Sequence, residues 1–249
     1  MMIKNTGLQL YSLKDELKTD PVKTLETISD IGFEGVELYN TILQGTVVTG
    51  NLFRQFNLTP IAMHCDVLTT EGLMKSLEIA DLINCENLVC PYCAPVVFES
   101  EKDIIEFAGK LNRVNEIVRA NNKNLLYHNH DFEFRYINGD CAFDLFAAQL
   151  DRSIYFEPDL YLAAVGNADI RTFIQNHADR IKMLHIKDGP IHPSLPNMII
   201  GEGKMDYKSL VPFFPATVEW AFIEFESYSS DLFSALRQSN IFCKSLSEQ

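Results

Sequence analysis

The stretch Gly7-Leu8-Gln9-Leu10-Tyr11-Ser12-Leu13-Lys14-Asp15 decides the fold. Its first four residues read as a short apolar strand, and the turn after them contains no glycine. An open, doubly wound sheet built around a nucleotide places a glycine-rich phosphate turn at this point. Neither G-x-G-x-x-G nor G-x-x-x-x-G-K-[ST] occurs anywhere in the chain. Downstream, Asp20-Pro21 reads as a helix cap followed by a first-turn proline, and Leu25, Ile28 and Ile31 repeat at helical spacing until Gly32 stops the run. Gly35-Val36-Glu37-Leu38 then opens a second strand.

The same alternation continues outward to the end of the chain. Further strands are expected at Pro60-Ile61-Ala62-Met63-His64, Asn87-Leu88-Val89-Cys90, Leu125-Leu126-Tyr127-His128, Ile154-Tyr155-Phe156-Glu157, Ile181-Lys182-Met183-Leu184-His185 and Ala221-Phe222-Ile223-Glu224. Helical stretches fit between them, the longest over about 102–121 with Ile105, Ala108, Leu111, Val114 and Val118 on one stripe. Eight βα units in 249 residues predict an α/β fold of one domain spanning 1–249, a single (β/α)8 TIM barrel. No serine- or glycine-rich linker divides the chain.

Composition narrows the function. With 34 Asp+Glu against 21 Lys+Arg, the net charge of −13 opposes a phosphate backbone or an anionic membrane surface, so neither nucleic acid nor membrane is an expected partner. The start lacks a signal-type apolar run and no stretch approaches a bilayer span, so a cytoplasmic protein is expected, although a trimmed leader would leave no trace. The six cysteines are scattered through a chain large enough to build its core without staples and are read as reduced. Cys90-Pro91-Tyr92-Cys93 has C-x-x-C spacing but no second pair, which favours two packed thiols over redox or zinc chemistry.

In a barrel the active site is assembled at the C-terminal ends of the strands. Those ends carry Glu37, His64, His128 and His130, Asp159, His185 with Lys187 and Asp188, and Glu224 with Glu226. Four of the six histidines fall there, while His177 lies in a helix and His192 in a proline-rich loop. Imidazoles and carboxylates converging from separate strands suit a divalent metal such as Mn²⁺, Zn²⁺, Co²⁺ or Mg²⁺. Each residue also has a plain structural reading: a hydrogen-bonded pair for His128 and His130, salt bridges for Asp159 and Glu224, and a satisfied core histidine for His185. His64 and Glu37 divide evenly between substrate pocket and structural bonding, and Lys187 either binds substrate or neutralises carboxylates.

Taken together, Gly7-Leu8-Gln9-Leu10-Tyr11-Ser12-Leu13, Gly32-Phe33-Glu34-Gly35-Val36-Glu37-Leu38, Tyr127-His128-Asn129-His130-Asp131-Phe132-Glu133-Phe134, Glu157-Pro158-Asp159, Leu184-His185-Ile186-Lys187-Asp188 and Gly201-Glu202-Gly203-Lys204 resemble the xylose-isomerase-like TIM barrels known as sugar phosphate isomerases/epimerases, in a subgroup marked by YHNH. The resemblance runs nearly end to end. It implies one divalent metal per chain, held by residues from strands five to eight. The last three ligands fall on Asp159, His185 and Glu224, and the first on His128, with His130 or Glu133 as the alternatives. Departures are Pro158 and Leu162, where relatives often have Leu and Trp, Phe225-Glu226 in place of Gln-Asp, and a short proline-interrupted segment where the seventh barrel helix is expected.

What the resemblance implies is a sugar isomerase/epimerase of carbohydrate metabolism that abstracts a proton alpha to a carbonyl. Glu224 is then the base, His130 or Glu133 its proton partner, and Glu37, His64 and Lys187 orient substrate hydroxyls. The expected partner is a small carbohydrate, and a homo-oligomer is compatible with the sequence. The alternatives are a lyase, dehydratase or hydrolase of a keto-sugar or keto-glycoside on the same site, and a sugar-binding barrel without catalysis. An abasic-site endonuclease ranks last, because it needs a basic groove.

Overall fold

The computed structural model describes residues 5–39 and 50–246. Eight parallel strands form the barrel wall: β1 (Asn5–Gln9), β2 (Gly35–Tyr39), β3 (Thr59–His64), β4 (Asn87–Cys90), β5 (Asn124–Tyr127), β6 (Tyr155–Phe156), β7 (Met183–Ile186) and β8 (Trp220–Ile223). Their spatial order is β6-β5-β4-β3-β2-β1-β8-β7. Isolated parallel bridges from Phe156 to Ile181 and from Asp159 to His185 complete the ring between β6 and β7. The expected strands are all present, with ends displaced by one or two residues.

The helix that leads into β2, α1 (Pro21–Ile31), begins and ends as its sequence dictates. The Asp20 side chain accepts from the Lys23 amide, and Gly32 closes the helix at φ +93°, a conformation that favours glycine. The longest helix, α2 (Glu101–Ala120), buries Ile104, Phe107, Ala108, Leu111, Val114 and Val118. Ile105 was expected on that stripe but faces solvent; Ile104 and Phe107 fill the i, i+3, i+4 pattern instead. After β7 the expected short segment is a single turn, Tyr207–Leu210, followed by a 3-10 turn, Val211–Phe213. No helix among the described residues is long and apolar enough to cross a membrane.

Successive side chains of a strand point to opposite faces, so each strand sends one set outward under the helices and the other into the barrel. Leu8, Val36, Leu88, Leu125, Leu184 and Ile223 belong to the large core outside the wall. Ala62, Val89, Leu126, Met183 and Phe222 form a separate cluster inside it. Two strand glycines make room for that plug. A Cβ on Gly7 would lie 2.5 Å from the Phe222 ring, and one on Gly35 would lie 2.2 Å from the Trp220 ring. One alternation further along the same strands, the inward residues become polar, and these form the site.

Candidate metal centre at the barrel mouth

Strand parity places Gln9, Glu37, His64, His128, Glu157, His185 and Glu224 in one layer above the apolar plug. They touch across the barrel from non-adjacent strands. His185 Nε2 is 2.6 Å from Glu37 Oε2 and 3.6 Å from Glu157 Oε2, while its Nδ1 is 2.9 Å from Glu224 Oε2. His64 Nε2 lies 3.3 Å from Glu37 and 3.2 Å from Glu157. Gln9 Nε2 donates to Glu37 Oε2 at 2.7 Å. Lys187 Nζ lies 2.9 Å from Asp159, 2.8 Å from Glu224 and 2.5 Å from Glu226.

Burial is the largest influence on every charge in this layer, and the neighbours decide which groups overcome it. It lowers the proton affinity of His64 and, well below the ordinary value, that of His128. It brings His130 down to about 4. For His185, Glu37 and Glu157 outweigh burial and raise the imidazole well above its usual range. Burial, followed by the Glu37 charge, pushes Glu157 well up. Glu37 goes down, because His64 and His185 outweigh burial there. Lys187 and His185 likewise hold Glu224 below the ordinary carboxylate range. Asp159 is raised by burial despite Lys187.

Two overlapping groups bring their ligand atoms within 4.8 Å of one another: His128, Asp159, His185 and Glu224, and, deeper, His64, His128, Glu157 and His185. The first is the set that the sequence resemblance implied. It fits a divalent ion better for two reasons. His128 Nδ1 is buried without a hydrogen-bond partner and Asp159 Oδ2 has only the Lys187 ammonium, at 2.9 Å, so unused donor capacity is present. In the deeper group, His185 Nε2 is already bonded to Glu37, and Glu157 is held toward its neutral form, a poor metal ligand.

The other sequence-derived residues divide. His64, His130 and Glu224 line a cavity of about 690 Å³ above the cluster, together with Glu226. Glu37 is fully buried beneath it and does not line it; it contacts Gln9, His64 and His185. Lys187 is likewise buried, between three carboxylates. Glu133 is not brought to the group. Its Oε1 accepts from the Tyr127 hydroxyl at 2.8 Å and its Oε2 from the His130 amide at 2.9 Å. Asp188 turns away into the following loop, where four backbone amides take its carboxylate.

Sequence reasoning missed Gln9 and Glu157. Parity was the available signal: Gln9 follows inward Gly7 by two, and Glu157 follows inward Tyr155 by two. All six cysteines are free. Within C-x-x-C, burial pushes the Cys90 thiol up strongly and Cys93 to about 12, and Cys93 Sγ sits 3.5 Å from the Tyr127 hydroxyl. These are packed, unreactive thiols.

No protein-family model and no curated protein sequence matches the chain. Among solved structures it is similar to a sugar phosphate isomerase/epimerase from Parabacteroides distasonis, at 22% identity and TM-score 0.78, over 96% of this chain and 93% of that one. It is similar to the probable 3-DHS dehydratase AsbF of Bacillus anthracis at 15% identity and TM-score 0.76, over 97% and 98% of the two chains. The IolI protein, solved with a zinc atom bound, matches at 12% identity and TM-score 0.73, over 98% of each chain. The fold is therefore that of the xylose-isomerase-like TIM barrels, whose structural neighbours here are mostly enzymes.

Proposed function

We propose that this chain is a metal-dependent sugar isomerase or epimerase, with one divalent ion held by His128, Asp159, His185 and Glu224. The observation that carries the reading is the convergence of those four ligand atoms within 4.8 Å, with His128 Nδ1 otherwise unpartnered in the interior. The metal-bearing and isomerase-type neighbours support it at the level of the fold. A divalent ion at this position supplies Lewis-acid stabilisation for the negative charge that develops when a proton next to a carbonyl is lost.

The side chains supply the rest. With its Nε2 hydrogen donated to Glu37, His185 would ligate through Nδ1, which faces Glu224 Oε2 at 2.9 Å and must lose its proton when the ion binds. Glu224 is the ionised carboxylate at the cavity floor and acts as base at its Oε atoms. His130 lines the same cavity and is neutral at pH 7, so its imidazole accepts or returns the proton at a ring nitrogen. Lys187 fixes Asp159, Glu224 and Glu226 relative to one another. Glu37 positions His185 and His64 and does not itself meet substrate.

A second reading is favoured by His128: the resemblance implies Glu, Asp, His and Glu as the usual ligand set, so an imidazole here replaces one of the two acid/base carboxylates. The same proton abstraction followed by loss of a leaving group gives a lyase, dehydratase or hydrolase. The test is elemental analysis after loading with Mn²⁺, Zn²⁺, Co²⁺ or Mg²⁺ and dialysis, followed by incubation of ketoses in deuterated water. About one ion per chain, lost in an Asp159→Asn, His185→Asn double variant, with solvent deuterium entering a recovered sugar, supports isomerisation. Consumption of sugar to an unsaturated product supports elimination. Folded protein without metal in either form overturns both and leaves a sugar-binding barrel.

A further inference from the structure

The anion-binding positions of this barrel are filled by its own carboxylates. In TIM barrels a phosphate site is frequently built by the loops after the seventh and eighth strands, from backbone amides and the N-terminus of a helix. Here the loop after β7 contains the glycine-rich run Gly201-Glu202-Gly203, and its amides are turned inward onto Asp188. Asp188 Oδ1 accepts from Gly189 at 2.8 Å and Met205 at 3.1 Å, and Oδ2 from Gly201 at 2.9 Å and Gly203 at 3.1 Å. The approach is so close that a Cβ on Gly203 would stand 2.1 Å from Asp188 Oδ1. After β8, the helix Leu232–Ser245 is capped by the Asp231 carboxylate, which accepts from the Ser234 amide. After β6, the Asp159 carboxylate caps Leu160–Val165 through the Leu162 amide.

Charge at the cavity points the same way. Its wall carries Asp66, Glu224 and Glu226, and none of the described residues lining it is Lys or Arg. The nearest cation below, Lys187, is held by three carboxylates. Arg135, on the loop after β5, pairs with Glu99 and donates to the Phe132 carbonyl. Among the described residues the cavity wall offers a phosphate dianion carboxylates and no Lys or Arg side chain, and Lys14 at its edge lies over the Tyr11 ring.

The cavity nevertheless exceeds what a single sugar ring fills, at about 690 Å³. It extends from His128 and Glu224 over the ends of β1 to β4, where Tyr11, Tyr39 and Tyr92 stand in its wall. Tyr92 is half exposed, and edge contacts to His130 at 5.2 Å and Phe132 at 6.0 Å between centroids fix its ring. Across the mouth, Tyr11 meets Tyr39 edge to face at 5.3 Å, with Lys14 Nζ over the Tyr11 ring at 4.1 Å. A half-exposed aromatic ring in the cavity wall offers a surface on which the C–H face of a sugar or another ring can pack.

We propose that the substrate of this site is an uncharged, unphosphorylated sugar bearing a second ring, with the reacting ring at the His128–Glu224 floor and the second ring on Tyr92. This deepens the reading given above and rests on it only for where the reacting ring sits.

Calorimetric titration of the full-length, metal-incubated protein tests it, with glucose, galactose and xylose, their phenyl β-glycosides, and glucose 6-phosphate as probes. At least one phenyl glycoside should bind roughly tenfold more tightly than its free sugar, and glucose 6-phosphate no more tightly than glucose. Tyr92→Phe should keep that advantage and Tyr92→Ala should remove it. Tighter binding of the phosphate than of glucose, equal binding of every glycoside and its free sugar, or no binding by any probe overturns the proposal. Binding is read without turnover, so the two readings fail separately. A two-ring preference without proton exchange on any ketose sinks the isomerase reading alone, and proton exchange with a phosphate preference sinks this one alone.

Discussion

Glu37 and His185 are joined across the barrel by a 2.6 Å hydrogen bond, although 148 positions separate them in the chain. Gln9 braces Glu37 from the neighbouring strand at 2.7 Å. A carboxylate that accepts from the far nitrogen of a ligating histidine fixes its tautomer and raises its basicity, and losing such a partner typically costs about 10- to 100-fold in metal affinity. Glu37→Gln should therefore weaken divalent-metal binding by about that factor while the barrel stays folded. Competition against a chelating indicator measures it. Unchanged affinity would show that Glu37 does not act through His185.

Glu157 behaves oppositely, although it touches the same histidine. Burial and the adjacent Glu37 charge hold its carboxyl well above the carboxylate range, which favours the neutral acid. Glutamine matches that form in shape and charge. Glu157→Gln should cost less than about 1 kcal/mol in urea unfolding and leave metal affinity within a few-fold of the parent. Glu157→Ala opens a polar cavity beside His64 and should cost several times more. A Gln variant as damaged as the Ala variant would mean that Glu157 is ionised.

Glu133 gives a pH signature. Burial raises its carboxyl from the ordinary 4.5 to about 7, against the hydrogen bonds from Tyr127 and His130. The folded chain thus holds a proton that the unfolded chain releases near 4.5. The protonated form favours the fold, and that advantage is complete below about pH 4.5 and is lost as the pH rises to about 7. The size of the loss is on the order of 3 kcal/mol. Glu133→Gln removes this group, so its stability relative to the parent should rise between pH 4.5 and 7 and stay level above. Parallel unfolding curves for the two proteins across that range would place the titration elsewhere.

The sequence made the barrel legible because its signals are local: Asp20, Pro21 and Gly32 mark one helix, and each strand is a compact apolar run. The candidate ligand group was legible because its members lie at or just past strand ends. Residues that act from inside the strand were harder to see. Glu37 was expected to meet substrate hydroxyls, yet only the strand pairing Gln9↔Glu37 and the cross-barrel reach to His185 show it lying beneath the cavity. Glu133 looked like a catalytic acid because it sits in the YHNH segment. The 3-10 turn Phe132–Phe134 swings it back toward Tyr127, and no residue spacing announces that turn.

Gly35 offers a packing test with a built-in reporter. Trp220, the only tryptophan of the chain, lies over it in the barrel plug, and a Cβ there would meet the ring at 2.2 Å. Gly35→Ala should displace the indole and cost roughly 1–3 kcal/mol. A shift in tryptophan emission accompanying the lowered midpoint checks it. Lost stability with unchanged emission would locate the cost away from Trp220.

Asp188 sits one residue past Lys187 but serves the loop from Gly189 to Met205, whose amides it gathers. Hydrogen bonds to a charged acceptor are the stronger kind, and removing that acceptor leaves buried N–H groups unsatisfied. Asp188→Ala should therefore lose on the order of 3 kcal/mol, with Asp188→Asn intermediate because one acceptor oxygen remains. Gly203→Ala should resemble Asp188→Ala, since the added methyl forces the amide off the carboxylate. All three variants should become sensitive to brief proteolysis within 189–205 before they unfold globally, whereas the parent resists. Cleavage that tracks only global unfolding would show that Asp188 does not hold this loop as a separate unit. Inorganic phosphate adds a second readout: with the carboxylate gone, the amides of Asp188→Ala are free for another anion, and phosphate should raise the melting temperature of that variant and not of the parent.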